Sequence, residues 1–358
     1  MKILMTTDTV GGVWHYAVDL VSCLTESQIE VVLVAIGPTL SEGQQAQADQ
    51  LDAKFYHRPY KLEWMNDPWE DVEKTNEWIK EISRNEKPDL LHFNNYPQAA
   101  LDWNVPVILV AHSCVASWWQ AVKNKPLPAD RYFDTVKKAF HTADIVVSPT
   151  KAMLTVYQQI YGDFKNAQVI YNGLNLTDYG VKEEKQPIIF SMGRLWDEAK
   201  NIRLVAQAAK EIKGNIFIAG KQPDTEGYKA DNITYLGQLS RKEIFKWLKK
   251  SSIYLLPVKY EPFGLSFLEA SALKCALIGG DIPTLRELWK ESMTYTDTDN
   301  ASELAKACNT LLNNKKYCQS MGEEAYRNGK QYSLARKKEQ YIKLYHNALQ
   351  SVPDFNYN

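Results

Sequence analysis

Short apolar runs alternating with amphipathic segments, twice over, limit what this chain can fold into more than any other feature. In the first half KILMTT, VVLVAIG, DLLHFN, VPVILVAHS, DIVVSPT and AQVIYNG read as strands. Between them lie the helical patterns WHYAVDLVSCL, WEDVEKTNEWIKEISRN, a short PQAAL, YFDTVKKAFHTA and KAMLTVYQQIY, with SEGQQAQADQ as a polar stretch. In the second half PIIFSMGRL, NIFIAG, ITYLG, SIYLLPV and CALIGG alternate with IRLVAQAAKEIK, RKEIFKWLKK and LSFLEASALK. Short apolar strands that alternate with helices form βαβ units, and so a parallel sheet. The expectation is an α/β chain of two successive Rossmann-like domains, residues 1–180 and 181–333, joined near 180 by the charged GVKEEKQP. SLARKKEQYIKLYHNALQ closes the chain as an amphipathic helix, with a stripe through Leu334, Tyr341, Leu344, Tyr345 and Ala348 and no strand after it.

Composition excludes several classes. At 358 residues, 45% apolar and 24% charged, the chain reads as globular and not as disordered. No apolar run approaches the length of a membrane span, and MKILMTTDTVGG is too short an apolar stretch for a secretory signal. The five cysteines include no CxxC pair, which argues for reduced thiols in a cytoplasm and against a zinc site or a disulfide frame. The net charge of −1 hides an asymmetry: residues 1–184 hold 16 basic and 24 acidic side chains, a balance of −8, and the rest of the chain carries +7. A basic second half suits an anionic ligand; no nucleic-acid partner is expected.

In parallel sheets ligands bind beyond the carboxyl ends of the strands, so the turns there carry the functional weight. TTDTVGGVWH follows the first strand, and Gly11 and Gly12 would let backbone N–H groups approach a phosphate at a helix start. The GxGxxG spacing is missing and the second strand ends AIGP, without an acid to hold a ribose, which disfavours a nicotinamide enzyme. In SMGRLWDEAKN, Gly193 and Arg194 sit at a strand end and Lys200 follows before a helix. Arg by its planar fork and Lys as a point charge suit a diphosphate. YEPFGLSFLEASAL brings Glu261, Gly264, Leu265 and Glu269 to the same edge. Its carboxylates can accept hydrogen bonds from sugar and ribose hydroxyls, while the N–H groups from Gly264 into Leu265 face the phosphate.

Taken in order, GRLWDEAKN, ITYLGQLSRKEIFKWLKKSSIYLLPVKYEPFGLSFLEASA and GGDIPTLREL resemble the retaining nucleotide-sugar glycosyltransferases of family 4, which have the two-domain GT-B fold with a central cleft. The match covers roughly residues 191–290, and Glu261 and Glu269 fit that family's E-x7-E element. The resemblance implies that Glu269 binds the ribose, that Glu261 faces the donor sugar, and that Arg194 and Lys200 stabilise the leaving diphosphate, touched by Gly12 from the other domain. It places His112 beside the transferred sugar, gives the first domain to the acceptor, and sends the C-terminal helix, counted as 334–358, back to that domain. It implies a hydroxyl acceptor and no cofactor or metal, with no DxD motif placed to hold one, and it leaves room for peripheral contact with the inner face of a membrane.

Two departures stand out. Lys274-Cys275-Ala276 replaces the family's Gly-x-Pro turn, so a non-glycine residue must end the glutamate helix, at a small cost if the left-handed conformation is kept. Asp281 lies where the family varies, which leaves the sugar open. Among the tryptophans of the first half, Trp118 and Trp119 follow His112 and are candidates to line an acceptor site, against simple core packing. The alternatives are an epimerase of the same fold, a phosphorylase, whose cofactor lysine site is not found, and a non-catalytic subunit that binds sugar nucleotide.

Overall fold

The computed structural model describes residues 1–175, 184–221 and 228–351. The strands of the first unit are β1 Lys2–Asp8, β2 Glu30–Ile36, β3 Lys54–Arg58, β4 Leu90–Phe93, β5 Val107–Val110, β6 Ile145–Ser148 and β7 Ala167–Val169. They pair in the order β3-β2-β1-β4-β5-β6-β7, every pair parallel. The second unit has β8 Gln186–Met192, β9 Ile216–Ala219, β10 Ile233–Gly237, β11 Ser251–Leu256, β12 Ala276–Gly280 and β13 Thr294–Thr296. Their order is β10-β9-β8-β11-β12-β13, again all parallel. Both sheets thus have the doubly wound arrangement, with strand order reversing at β1/β4 and at β8/β11.

The compact units divide between Asn172 and Gly173, except that the first also takes in helix Leu334–Ser351 and the second Ala121–Asn124. The boundary expected at 180 lies outside the described residues. Two edge strands, β3 and β13, add to those expected, and the polar stretch SEGQQAQADQ contains the helix Glu42–Asp49. That helix starts at a reciprocal cap in which the Ser41 side chain accepts from the Gln44 N–H and the Gln44 side chain accepts from the Ser41 N–H. Among the described residues no helix is long and apolar enough to cross a membrane.

The C-terminal helix Leu334–Ser351 is part of the first unit's core. Tyr341, Leu344, Tyr345 and Ala348 are buried against Ile3, Leu20, Val21 and Ile108, and side chains of this size contribute roughly 1.5–3 kcal/mol each when fully buried. Polar groups inside this contact are paired: Tyr16 donates to the Tyr341 hydroxyl at 2.6 Å, and His92 Nδ1 meets the Tyr345 hydroxyl at 2.7 Å. Lys337, buried on the same stripe, donates to the Tyr16 carbonyl at 3.2 Å and lies 3.4 Å from the centroid of the Tyr16 ring.

At the amino edge of the same sheet Glu86 gathers Lys54 at 2.7 Å, Lys2 at 3.0 Å and the Tyr56 hydroxyl at 2.8 Å. The Lys54 and Lys2 bonds hold its carboxyl down at about 2. With the folded value below the unfolded one, the unfolded chain binds more protons between the two, so stability falls as the pH drops through that window. Urea titrations at a series of pH values should show Glu86→Gln less stable than wild type at pH 7. The difference should shrink from about pH 4.5 down to about pH 2; a constant difference would leave Glu86 no part in the acid sensitivity.

Candidate active site

In the second unit the two quoted turns leave the two strands that flank the reversal point. After β8 the Gly193 N–H donates to Ala219 O at 3.1 Å, and Gly220, at φ +140°, passes so close that a Cβ there would lie 2.2 Å from the Gly193 carbonyl oxygen. Arg194 donates to Asp197 at 3.0 Å, and Asp197 in turn accepts from the Ala199 N–H at 3.0 Å, capping the short 3-10 turn Glu198–Lys200. Asn201 then adopts φ 56° and sends its Nδ2 to Pro257 O at 3.0 Å and to Thr298 O at 2.7 Å, while Lys259 N donates to Ala199 O at 2.9 Å. These bonds join the loop after β8 to those after β11 and β13.

The loop after β11 carries the carboxylates. Lys200 Nζ lies 2.7 Å from Glu261 Oε2, with the two side chains 15% and 14% exposed. The Glu261 carbonyl accepts from Thr284 at 2.6 Å. Gly264 has φ +86°, and a Cβ there would meet the Phe267 ring at 2.8 Å; only glycine takes this turn without strain. Helix Leu265–Ala272 follows, with Glu269 partly buried within it. The phenol of Tyr254 on β11 is raised by burial first, against a bond with Ser266, and then by the charges of Glu269 and Glu261. Lys274 ends the helix turn at φ +57°, so the left-handed conformation is kept by a non-glycine residue. Asp281 is held in two places by Arg286, at 2.7 and 2.8 Å.

The structure thus brings Gly193, Arg194, Lys200, Glu261, Gly264, Leu265 and Glu269 to one edge of one sheet. Sequence reading missed Asn201, Thr284 and Gly220 there. Asn201 shows only as the residue after Lys200 in the quoted turn, and Gly220 only as the glycine closing NIFIAG.

The first unit holds the other expected residues. Gly11, at φ +78°, precedes helix Gly12–Glu26, and a Cβ on Gly12 would meet nothing within 4 Å, so Gly12 leaves the backbone open to approach. His112 follows β5, and its Nε2 bonds Asn94 Oδ1 at 2.7 Å. Asn94, also missed from sequence, is itself fixed by Thr6: its N–H donates to the Thr6 hydroxyl at 3.0 Å and its Nδ2 to the Thr6 carbonyl at 2.6 Å. The His112 ring meets Tyr16 edge-on, with centroids 4.4 Å apart. Burial, then the charge of Lys337, push its pKa down to about 3, so the ring is neutral at pH 7. Trp118 and Trp119 lie partly buried on helix Val115–Lys123, ring centroids 6.2 Å apart.

Comparison with known proteins follows the same two halves. Residues 10–178 match the family described as Glycosyltransferase Family 4, and residues 178–328 match Glycosyl transferases group 1. The chain is 23% identical over 216 residues, 58% of its length and 55% of the relative's, to an N,N'-diacetylbacillosaminyl-diphospho-undecaprenol alpha-1,3-N-acetylgalactosaminyltransferase of Campylobacter jejuni. The aligned stretch spans about half the length of the first curated relatives it matches. Sucrose-phosphate synthase from Thermosynechococcus elongatus superimposes with a TM-score of 0.82 at 16% identity, covering 98% of this chain and all of that one. HepE of Anabaena, solved with UDP and glucose, does so at 0.76 and 15% identity, covering 97% of this chain and 100% of that one. These likenesses show the GT-B fold.

The stitching makes its own prediction. Asn201→Ala removes two bonds to loop carbonyls and puts alanine in a left-handed conformation, so it should cost roughly 1–3 kcal/mol for each buried group left unpaired, beyond the backbone cost. Asn201→Gly, which tolerates that conformation, should recover only the backbone part. Denaturant midpoints of the two variants and wild type make the comparison, and an Asn201→Gly as stable as wild type would show that the amide bonds contribute nothing.

Proposed function

We propose that the chain is a GT-B glycosyltransferase of family 4 type, a reading its two matched halves support, and that it moves a hexose from a nucleoside diphosphate sugar to an acceptor hydroxyl with retention of anomeric configuration. One observation carries this reading: Lys200 meets Glu261 at 2.7 Å at the reversal point of a single parallel sheet, with Arg194 and Glu269 in the same two strand-to-helix segments. Cations suit a diphosphate and carboxylates suit hydroxyls, and a sugar nucleotide offers both.

In this reading the nucleoside diphosphate lies along the carboxyl edge of the second sheet. Glu269 accepts from the ribose hydroxyls. The backbone N–H groups at Gly264 and Leu265 take the phosphates, and Gly193, against which the Lys200 stem packs, borders them. Glu261, held by Lys200, accepts from hydroxyls of the transferred sugar. As the glycosidic bond breaks, negative charge grows on the diphosphate, and preorganised cations stabilise it most at that moment. Arg194 and Lys200 supply this charge, so the reading calls for no metal ion. The leaving phosphate oxygen takes the acceptor's proton on the same face, which gives retention without a protein nucleophile. The first unit receives the acceptor at the carboxyl edge of its own sheet, where Gly11, Gly12 and the neutral His112 stand, and Trp118 and Trp119 offer ring faces to it. The activity in the names of the relatives supports transfer over epimerisation.

Thermal shift with UDP-, GDP- and ADP-hexoses tests the donor class. A ligand at 100 times its Kd adds roughly 2.7 kcal/mol of stability, and a chain that no sugar nucleotide stabilises would overturn the reading. With the donor in hand, Arg194→Ala and Lys200→Ala should lower kcat on the order of 10²-fold or more while leaving nucleoside diphosphate binding less affected. Calorimetry separates the two glutamates. Glu269→Gln should weaken both the nucleoside diphosphate and the intact donor, whereas Glu261→Gln should weaken the donor alone, each by about 1–3 kcal/mol. Equal losses on the bare nucleotide would remove the division between them.

A further inference from the structure

At the carboxyl edge of the first sheet a small cavity lies among oxygen atoms that the proposed reaction does not use. It is lined by Glu63 in the loop after β3, Thr75 on helix Trp69–Glu86, and Asn95 and Gln98 just after β4, with Ile36 and Val72 among its apolar walls. Its volume is about 10 Å³, room for one water-sized occupant and no more. Glu63, Thr75, Asn95 and Gln98 are 8%, 1%, 3% and 2% exposed.

The polar groups here have acceptors to spare. Asn95 Oδ1 and Gln98 Oε1 have no hydrogen-bond partner among the described residues. Gln98 gives its Nε2 to Asn76 Oδ1 at 2.8 Å, which fixes the amide with its oxygen unused. Thr75 has committed its hydroxyl hydrogen to Asp71 O at 2.8 Å and keeps only lone pairs. The Glu63 carboxyl accepts backbone N–H bonds from its own residue and from Tyr96, yet burial outweighs them and pushes it up to about 7. Lys61 is also in the wall, but its ammonium is turned to the carbonyls of Asn66 and Asp67. A buried carboxyl without a cation and two orphaned carbonyl oxygens would each cost stability.

We propose that Glu63, Asn95 and Gln98, with the Thr75 hydroxyl, hold a single monovalent cation of the sodium or potassium class. An all-oxygen donor set suits a hard cation. One carboxylate sets the valence: a monovalent ion neutralises it, whereas a divalent ion would leave a buried positive charge. The ion ties the loop after β3 to the segment after β4, beside Asn94 and the His112 it positions.

The test uses the full chain, first in solution. Sodium or potassium chloride should raise the thermal midpoint over choline chloride at equal ionic strength, by about 2 °C or more when the site is saturated. Glu63→Gln, nearly the same shape without the charge, should abolish that difference. Crystals soaked in rubidium chloride should then show an anomalous peak among the Glu63, Asn95 and Gln98 oxygens; this wild-type measurement stands whether or not the variant folds. Equal midpoints in all three salts would overturn the proposal. So would the lack of an anomalous peak, including a site held by a water that bonds the same oxygens.

Discussion

The contact between Lys200 and Glu261 is the interaction on which the second unit's edge depends. At 2.7 Å, with both side chains about one-seventh exposed, the pair has lost most of its water, and removing either partner leaves the other as an uncompensated charge. Two turns 61 residues apart in sequence are therefore coupled. The coupling needs β8 and β11 to be neighbours in the register that sets Phe190 opposite Tyr254. It also needs both backbones to be held without the side chains, and Asn201, Lys259 N and Thr284 do this through bonds to carbonyls. The long side chains then lose less freedom in pairing than they would on mobile loops.

The first unit solves a different problem. Its sheet is completed by a helix from the far end of the chain, and the contact includes three tyrosines, a histidine and a lysine. Burial pushes Lys337 down to about 7 and His92 to about 3, and among the described residues no carboxylate bonds either of them. Hydroxyls, a ring nitrogen and a backbone carbonyl satisfy one another and Lys337 here, where charged pairs carry the second unit's edge. The excess of acid in residues 1–184 belongs largely to exposed side chains such as Glu70, Glu73 and Glu77, not to this interior.

What the sequence showed follows from which forces are local. The alternation of apolar strands and helices is written in consecutive residues, so both parallel sheets and most of their elements were legible. KFYHR in β3 and TYT in β13 were not: they are short edge strands with no buried apolar run. Helix Glu42–Asp49 has a cap and almost no apolar stripe, and periodicity could not find it. At the site, residues with strong chemistry in tight turns were legible. Asn201, which acts on Thr298 across 97 positions, was not, nor was Gly220, whose role is the space it leaves for Gly193. Lys337 falls at a helical period within an apolar stripe, and its burial comes from the ring of Tyr16, which no local pattern announces.

The Pro-Phe-Gly turn connects these scales. At Gly264 a Cβ would press on Phe267 at 2.8 Å and on the Glu261 stem at 3.3 Å. Phe267 is fully buried and stands edge-on to Tyr254, with centroids 5.2 Å apart, so it has little room to yield. The strain of a side chain at 264 would pass to Glu261, the one neighbour with freedom to move, and from there to its bond with Lys200. A left-handed glycine is thus a condition for the ion pair as well as for the turn. That is why a glycine must stand between the two glutamates: it closes the strand into the helix while leaving Glu261 where the cation of the neighbouring turn can reach it.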